Sequence, residues 1–187
     1  MLKEPVRTKL PPRRLLAELA QQDIREVLAK NFHIVVPHLL YRSAQPERKE
    51  FIELQRKGCR SILNLRTKHS DLPKISGLRL KEYRLASHHL SQEDIVQALE
   101  IIRKADMPLL IHGRAGTDRT GVIVAAFRIV FQNWSVADAL KEFTDSVNGL
   151  HRYIYRKFPK LIKRTDWAAV KSRIGAPVWE FPAEPEE

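Results

Sequence analysis

Residues 108–121 read Pro-Leu-Leu-Ile-His-Gly-Arg-Ala-Gly-Thr-Asp-Arg-Thr-Gly. A short apolar run leads into a loop carrying Gly113, Gly116, Arg114 and Arg119, and a helix opens at Thr120. A glycine-rich turn of this kind can aim its backbone N–H groups inward. The N-terminus of the following helix adds positive potential at the same point, and together these suit a bound phosphate. The chemistry on offer is therefore anion binding.

The elements around this loop read as alternating strands and helices. Leu15, Leu16, Leu19, Ile24, Val27 and Leu28 recur at helical spacing, so an amphipathic helix is expected over 14–30. Phe32–Val36 and Leu39–Tyr41 are short β-type runs separated by Pro37. Pro46 opens a helix that stops at Gly58, with Phe51, Ile52 and Leu54 inward. Ser61–Leu65 and Leu78–Leu85 read as strands, with a polar loop over 67–77 between them. Ser91-x-x-Asp94 is a capping box for a helix through Lys104. Met107–Ile111 is a buried strand, and Thr120–Gln132 a central helix. Ser135-x-x-Asp138 caps another helix, ending near Asn148-Gly149. Two basic helices follow over 151–164 and 166–174, and 176–187 is a Pro/Glu-rich tail expected to be disordered. The fold class implied is α/β, a central mostly parallel sheet flanked by helices. The division expected is 1–31 as a basic arm and helix, 32–175 as one domain, and 176–187 as an acidic tail. Ligand sites in such sheets lie beyond the carboxyl ends of the strands, where His112–Arg119 would fall.

A hydrophobic content of 43% over 187 residues is enough for one packed core. The formal net charge of +11 favours anionic partners: phosphorylated proteins, acidic lipid headgroups or nucleic acid. The single cysteine, Cys59, excludes an internal disulfide framework and reads as a structural thiol. No apolar leader and no stretch of transmembrane length is visible, so a cytoplasmic location is the default. The histidines lack ligand spacing with carboxylates or thiols, and neither a metal nor a cofactor is expected.

The loop resembles the phosphate-binding signature His-Cys-x5-Arg-Thr/Ser of the cysteine-dependent protein-tyrosine phosphatases. Two more segments carry the resemblance: Leu40-Tyr41-Arg42-Ser43-Ala44-Gln45-Pro46 and Ile62-Leu63-Asn64-Leu65-Arg66. The ordered trio is similar to the dual-specificity branch, in particular its compact bacterial and atypical fungal and plant members. The resemblance spans roughly 32–158. It implies that Gly113, Arg114, Ala115, Gly116, Thr117, Asp118 and Arg119 cradle a phosphoryl group. Arg119 then grips two oxygens in a bidentate fork. His112 orders the loop, and Thr120 matches the hydroxyl residue that helps a thiolate leave. The general acid is open between Asp118 and His89. His88 stands beside His89, and Asp94 fits the capping box instead. Myotubularin-type phosphatases have an aspartate at the place of Asp118.

One position departs from the signature. Gly113 stands where the family carries its nucleophilic cysteine. Family members attack phosphorus with a thiolate, and glycine has no side chain to do so. The expectation is a phosphatase-like chain that binds phosphotyrosine-type groups without turnover, whether as a natural pseudophosphatase or as a chain altered at that position. A second reading is an inositol-polyphosphate or phosphoinositide version of the scaffold, supported by the charge and by Arg114. A third is a basic adaptor for nucleic acid or acidic protein. There Tyr153, Tyr155, Phe158 and Trp167 interleave with Arg152, Arg156, Lys157 and Lys160. Those aromatics also fit helical core spacing.

Overall fold

The computed structural model describes residues 29–87, 89–145 and 157–175. Its centre is a five-stranded sheet in the order β1-β2-β5-β3-β4. The strands are β1 (His33–Val36), β2 (Leu40–Ser43), β3 (Ser61–Asn64), β4 (Lys81–Arg84) and β5 (Leu109–His112). β1 pairs antiparallel with β2 across a tight turn; every other pairing is parallel. Continuous apolar character in β5 signals a strand covered on both faces, and all four of its residues are buried.

Side chains alternate across the sheet with period two, and the core divides accordingly. Leu40, Leu63, Leu109 and Ile111 face one cluster, with α3 (Gln92–Lys104) and α4 (Asp118–Phe131). Tyr41, Ile62 and Leu110 face the other, with Phe51 and Leu54 of α1 (Arg48–Arg56). Each fully buried aliphatic or aromatic side chain contributes about 1.5–3 kcal/mol of transfer free energy. α4 runs through the larger cluster with Val122, Ile123, Ala126 and Phe127 wholly enclosed. α5 (Val136–Asp145), α6 (Lys157–Arg164) and α7 (Trp167–Ile174) close that side.

Most expected elements are present, with four corrections. Ile52 is exposed, because the inward stripe of α1 repeats at Phe51 and Leu54 and leaves Ile52 about 100° away. The stretch 67–77 is not all loop: one helical turn, α2 (Leu72–Ile75), forms with Pro73 in its first turn. The strand read over Leu78–Leu85 narrows to Lys81–Arg84. α4 begins at Asp118, two residues before Thr120. The capping box at Ser91 is formed in both directions: Ser91 Oγ accepts from Asp94 N at 3.2 Å, and Asp94 Oδ2 accepts from Ser91 N at 2.8 Å.

The helix read over 14–30 falls almost wholly outside the described residues. His88, Tyr153, Tyr155, the Asn148-Gly149 helix end and the 176–187 tail lie outside them as well. Among the described residues no helix is long and apolar enough to cross a membrane.

Candidate active site

The parallel register sets Ser43, Asn64 and His112 side by side at the carboxyl ends of β2, β3 and β5. All three are fully buried. The loop 113–117 leaves the sheet here and runs straight into α4.

Four consecutive carbonyls of this loop are turned outward onto the scaffold. Gln45 N donates to Arg114 O at 3.3 Å, and Asn31 Nδ2 to Ala115 O at 2.8 Å. Arg42 Nη2 donates to Gly116 O at 2.6 Å and to Thr117 O at 3.3 Å. A trans peptide sets its N–H opposite its C=O. The N–H groups of Ala115, Gly116, Thr117 and Asp118 therefore face the other way, into the loop, where the N-terminal end of α4 adds its partial positive charge. This is the geometry of an anion cradle.

Its shape depends on two close approaches. Gly116 has φ +73°, and a Cβ there would meet Ala44 N and Ser43 O at 2.5 Å. The loop thus lies backbone against backbone on the end of β2, which only glycine permits. Arg42 is the second device. It is 5% exposed, its guanidinium is buried under the loop, and desolvation holds its pKa below the ordinary arginine value.

His112 is locked from behind. Its Nε2 meets Asp71 Oδ2 at 2.6 Å, and its Nδ1 lies 3.3 Å from Gly113 O. Burial of Asp71 opposes ionisation, but the hydrogen bond and charge of His112 outweigh it, helped by Gln45 and Lys74. The Asp71 carboxyl stays below the usual carboxylate range. Asp71 reaches this place because Asn64 and Glu82 fold its loop. Asn64 Nδ2 donates to His69 O at 2.9 Å and to Glu82 Oε1 at 2.8 Å, and Asp71 N donates to the same Glu82 oxygen at 2.8 Å. Gln45 ties the two sides, donating to Asp71 Oδ1 at 2.7 Å and accepting from Arg66 Nη1 at 3.1 Å.

Arg119, one residue into α4, is braced across the mouth. Its Nη1 donates to Leu65 O at 2.6 Å and to Ser87 O at 3.1 Å. Two loops at the carboxyl ends of β3 and β4 thereby fix the guanidinium. Asp118 sits half-buried in the first turn of α4. His89 is exposed, with Nδ1 3.2 Å from Lys157 Nζ. Asp94 is taken up in its capping box, and Ser87 Oγ donates to it as well at 3.1 Å.

Gly113 differs from Gly116. Its φ lies outside the left-handed region, and beyond the chain neighbours a Cβ there would meet within 4 Å only Thr120 Oγ1, at 3.1 Å. The backbone does not demand glycine at this position, and a side chain there requires Thr120 Oγ1 to give by a few tenths of an ångström. Thr120 is 1% exposed, and its hydroxyl has no hydrogen-bond partner among the described residues.

Cys59 is not near the loop. It lies before β3, its thiol bonding Ser61 O at 3.4 Å and Pro108 O at 3.6 Å, at the opposite end of the sheet from His112. Burial pushes its thiol up to about 12. Phe158 is buried, and Trp167 packs on the same core with Nε1 donating to Ile162 O at 2.9 Å. These two aromatics face inward, as core spacing implies, and do not form a stacking surface. Among the described residues, no group of three or more His, Cys, Asp or Glu could hold a metal ion.

The sequence brings His112 and the 113–120 loop into view but not Asp71, whose bond to His112 spans 41 positions. Nor does it single out the clamping role of Arg42, although that residue lies inside the Leu40–Pro46 segment.

Comparison with known proteins agrees with this geometry. A family model described as "Tyrosine phosphatase family" matches residues 26–166. The dual specificity protein phosphatase TpbA of Pseudomonas aeruginosa is 29% identical over 107 residues, 55% of this chain and 49% of that protein. The putative tyrosine-protein phosphatase OCA1 of Mycosarcoma maydis is 27% identical over 141 residues, 68% of this chain and 87% of that protein. The inositol diphosphatase SIW14 of Saccharomyces cerevisiae is 29% identical over 126 residues, 61% of this chain and 44% of that protein. The chain thus spans about half the length of TpbA and less than half of SIW14. Crystal structures of TpbA match with a TM-score of 0.71 at 24% identity, over 78% of this chain and 91% of that one. One of them is a Cys-to-Ser variant in complex with phosphotyrosine, at a TM-score of 0.70. The core catalytic domain of SIW14, described as a PP-IP phosphatase, matches at 0.66 and 26% identity, over 77% of this chain and 90% of that one. With the family model covering most of the chain and the loop built as described, the chain belongs to the tyrosine phosphatase family.

Proposed function

We propose that this chain binds the phosphoryl group of phosphotyrosine-type phosphomonoesters in the 112–120 loop and does not turn it over. The observation that carries the reading is the contrast within the loop. The loop's carbonyl contacts support N–H groups of 115–118 turned inward, while Gly113 supplies no nucleophile and its backbone does not require glycine. The one thiol in the sequence, Cys59, is buried at the far end of the sheet and held protonated. Arg119 is the phosphate-gripping residue of this reading, His112 the loop-ordering one. Asp118 and His89 remain the candidate proton donors, idle without a covalent step. The binding unit is residues 32–175, and a cytoplasmic location stays part of the proposal. Titration with phosphotyrosine by calorimetry, run beside para-nitrophenyl phosphate hydrolysis, tests it: binding without turnover is expected. Hydrolysis at ordinary phosphatase rates would overturn it, as would no binding at all.

A second reading takes an inositol polyphosphate as ligand. The similarity to SIW14 supports it. So does the basic rim, where Arg66, Arg84, Arg114 and the Lys157–His89 pair stand on the segments that surround the loop. Tighter binding of inositol hexakisphosphate than of phosphotyrosine, lost on Arg66→Ala, favours this version. Equal affinity removes it.

A further inference from the structure

We infer that the space over Gly113 is a built water site, and that Thr120 holds there a water molecule which completes the phosphate cradle from below. The inference rests on the reading of the loop as a phosphoryl site. Two independent observations carry it. Beyond its chain neighbours His112 and Arg114, the Cβ position of Gly113 meets within 4 Å only Thr120 Oγ1 at 3.1 Å, which leaves a notch at the base of the loop. The hydroxyl facing that notch belongs to a side chain 1% exposed and has no partner among the described residues. A buried hydroxyl without a hydrogen bond is destabilising, and a water in contact with it removes that cost.

The chemistry specifies the occupant. A missing thiol side chain leaves room on the order of one water molecule, whose share of liquid volume is about 30 Å³. A buried water needs two to four polar partners. Thr120 Oγ1 supplies one. An oxygen of a bound phosphomonoester supplies a second, because the loop N–H groups seat the phosphoryl group directly over the notch. The water donates to the phosphoryl oxygen and accepts a hydrogen bond from the Thr120 hydroxyl. A neutral donor thus occupies the place where the family's thiolate would repel the same dianion. Thr120 is no base, so the water stays protonated and the bound ester stays intact. Gly113 and Thr120 then act as one affinity determinant for phosphomonoesters.

The test uses the full chain and two probes, inorganic phosphate and phosphotyrosine, titrated by calorimetry. Gly113→Ala fills the notch and Thr120→Val removes its donor. Each is expected to weaken phosphotyrosine binding about tenfold, the loss of one hydrogen bond to a charged group. The double variant is expected to be no weaker than the poorer single one, since both remove the same water. Thr120→Ser keeps the hydroxyl and is expected to retain the affinity. A phosphate-soaked crystal is expected to place an oxygen within hydrogen-bond distance of Thr120 Oγ1. Either single variant binding as tightly as the parent overturns the inference, and so do additive losses in the double variant. Failure of the parent chain to bind either probe sinks the phosphate-site reading itself, a separate outcome.

Discussion

Placing a side chain at Gly113 is the most direct physical question this site poses. A Cβ at that position meets Thr120 Oγ1 at 3.1 Å, so the threonine need shift by only a few tenths of an ångström. The backbone there is outside the left-handed region, and no strain follows from leaving glycine. Gly113→Cys is therefore expected to fold, with stability within about 1 kcal/mol of the parent and a contribution in its favour from a stiffer unfolded chain. The new thiol stands before the N-terminus of α4, near Arg119 and the inward N–H groups. Such settings lower a cysteine pKa from about 8.5 to about 3.5–7.5, which makes the thiolate the main form at neutral pH. Thr120 gains a partner in the same step. Para-nitrophenyl phosphate has an acidic leaving group, so its cleavage does not wait on the choice between Asp118 and His89. Supplying a missing nucleophile to an assembled site is worth at least about 10³-fold in turnover. The assay is release of para-nitrophenolate with a pre-steady-state burst, alongside alkylation of the thiol as a function of pH. The reaction rate should rise with pH through the thiol pKa. A Gly113→Cys chain that melts with the parent and binds phosphate refutes the reasoning if it shows no turnover above the parent and a thiol pKa at or above 8.5.

Three further outcomes follow from the same geometry. Gly116→Ala places a Cβ against Ala44 N and Ser43 O at 2.5 Å with φ +73°, so a loss of at least about 3 kcal/mol in urea melts is expected, with phosphate binding abolished. A variant as stable as the parent would remove the close-approach argument. Arg42→Met leaves Gly116 O without its donor, while Thr117 O keeps the bond from Gly121 N at 2.7 Å, and it relieves a buried charge. Stability should fall by only about 1–2 kcal/mol while phosphate affinity falls about tenfold; unchanged affinity in titration counters the clamp. Asp71 is ionised and bonded to His112, with a folded pKa below its unfolded value near 3.9. Its contribution, about 1.5–3 kcal/mol, is full above the unfolded value and is lost as pH falls through the folded one. Asp71→Asn should therefore destabilise at pH 7 and flatten the acid limb of a Tm-against-pH curve. A variant with the parent's acid limb refutes the assignment.

The loop was legible because its signals are local. Gly113 to Thr120 are contiguous, an apolar run precedes them, and a helix must follow. Strand β5 read clearly for a related reason: a run buried on both faces has no polar positions to blur it. What stayed hidden depends on contacts between distant segments. Asp71 lies in a polar stretch with no spacing to His112, and its place is set by Asn64 and Glu82, each of which has a solvent-facing reading in sequence alone. Arg42 falls in a strand where an alternating pattern would send a charge outward, and only the loop packed over it explains its burial. Ile52 departs from the sequence pattern because three apolar residues at 51, 52 and 54 do not all fit the narrow inward stripe of α1. The helical turn at Leu72–Ile75 is not legible in the sequence because a Pro in a polar segment signals a turn as readily as a first helical residue.

Binding without turnover, as proposed, requires that the cradle and the nucleophile position rest on different parts of the structure, and the contacts that shape the loop are separate from position 113. The inward N–H groups are set by carbonyl contacts to Asn31, Arg42 and Gln45 and by the close approach of Gly116. None of these passes through a side chain at 113. Burying Arg42 costs several kcal/mol of desolvation, and its carbonyl bonds offset that cost only while the loop keeps this shape. The fold therefore holds the cradle open whether or not chemistry occurs in it. Removing a thiolate also removes repulsion toward the incoming dianion, roughly 4 kcal/mol per pair of unit charges about 4 Å apart at an effective dielectric of about 20. Interactions that bind the ground state and the transition state alike raise affinity and leave the chemical step untouched. With the thiolate gone, those are the interactions the loop supplies, which is why tight binding and negligible turnover are expected from one and the same geometry.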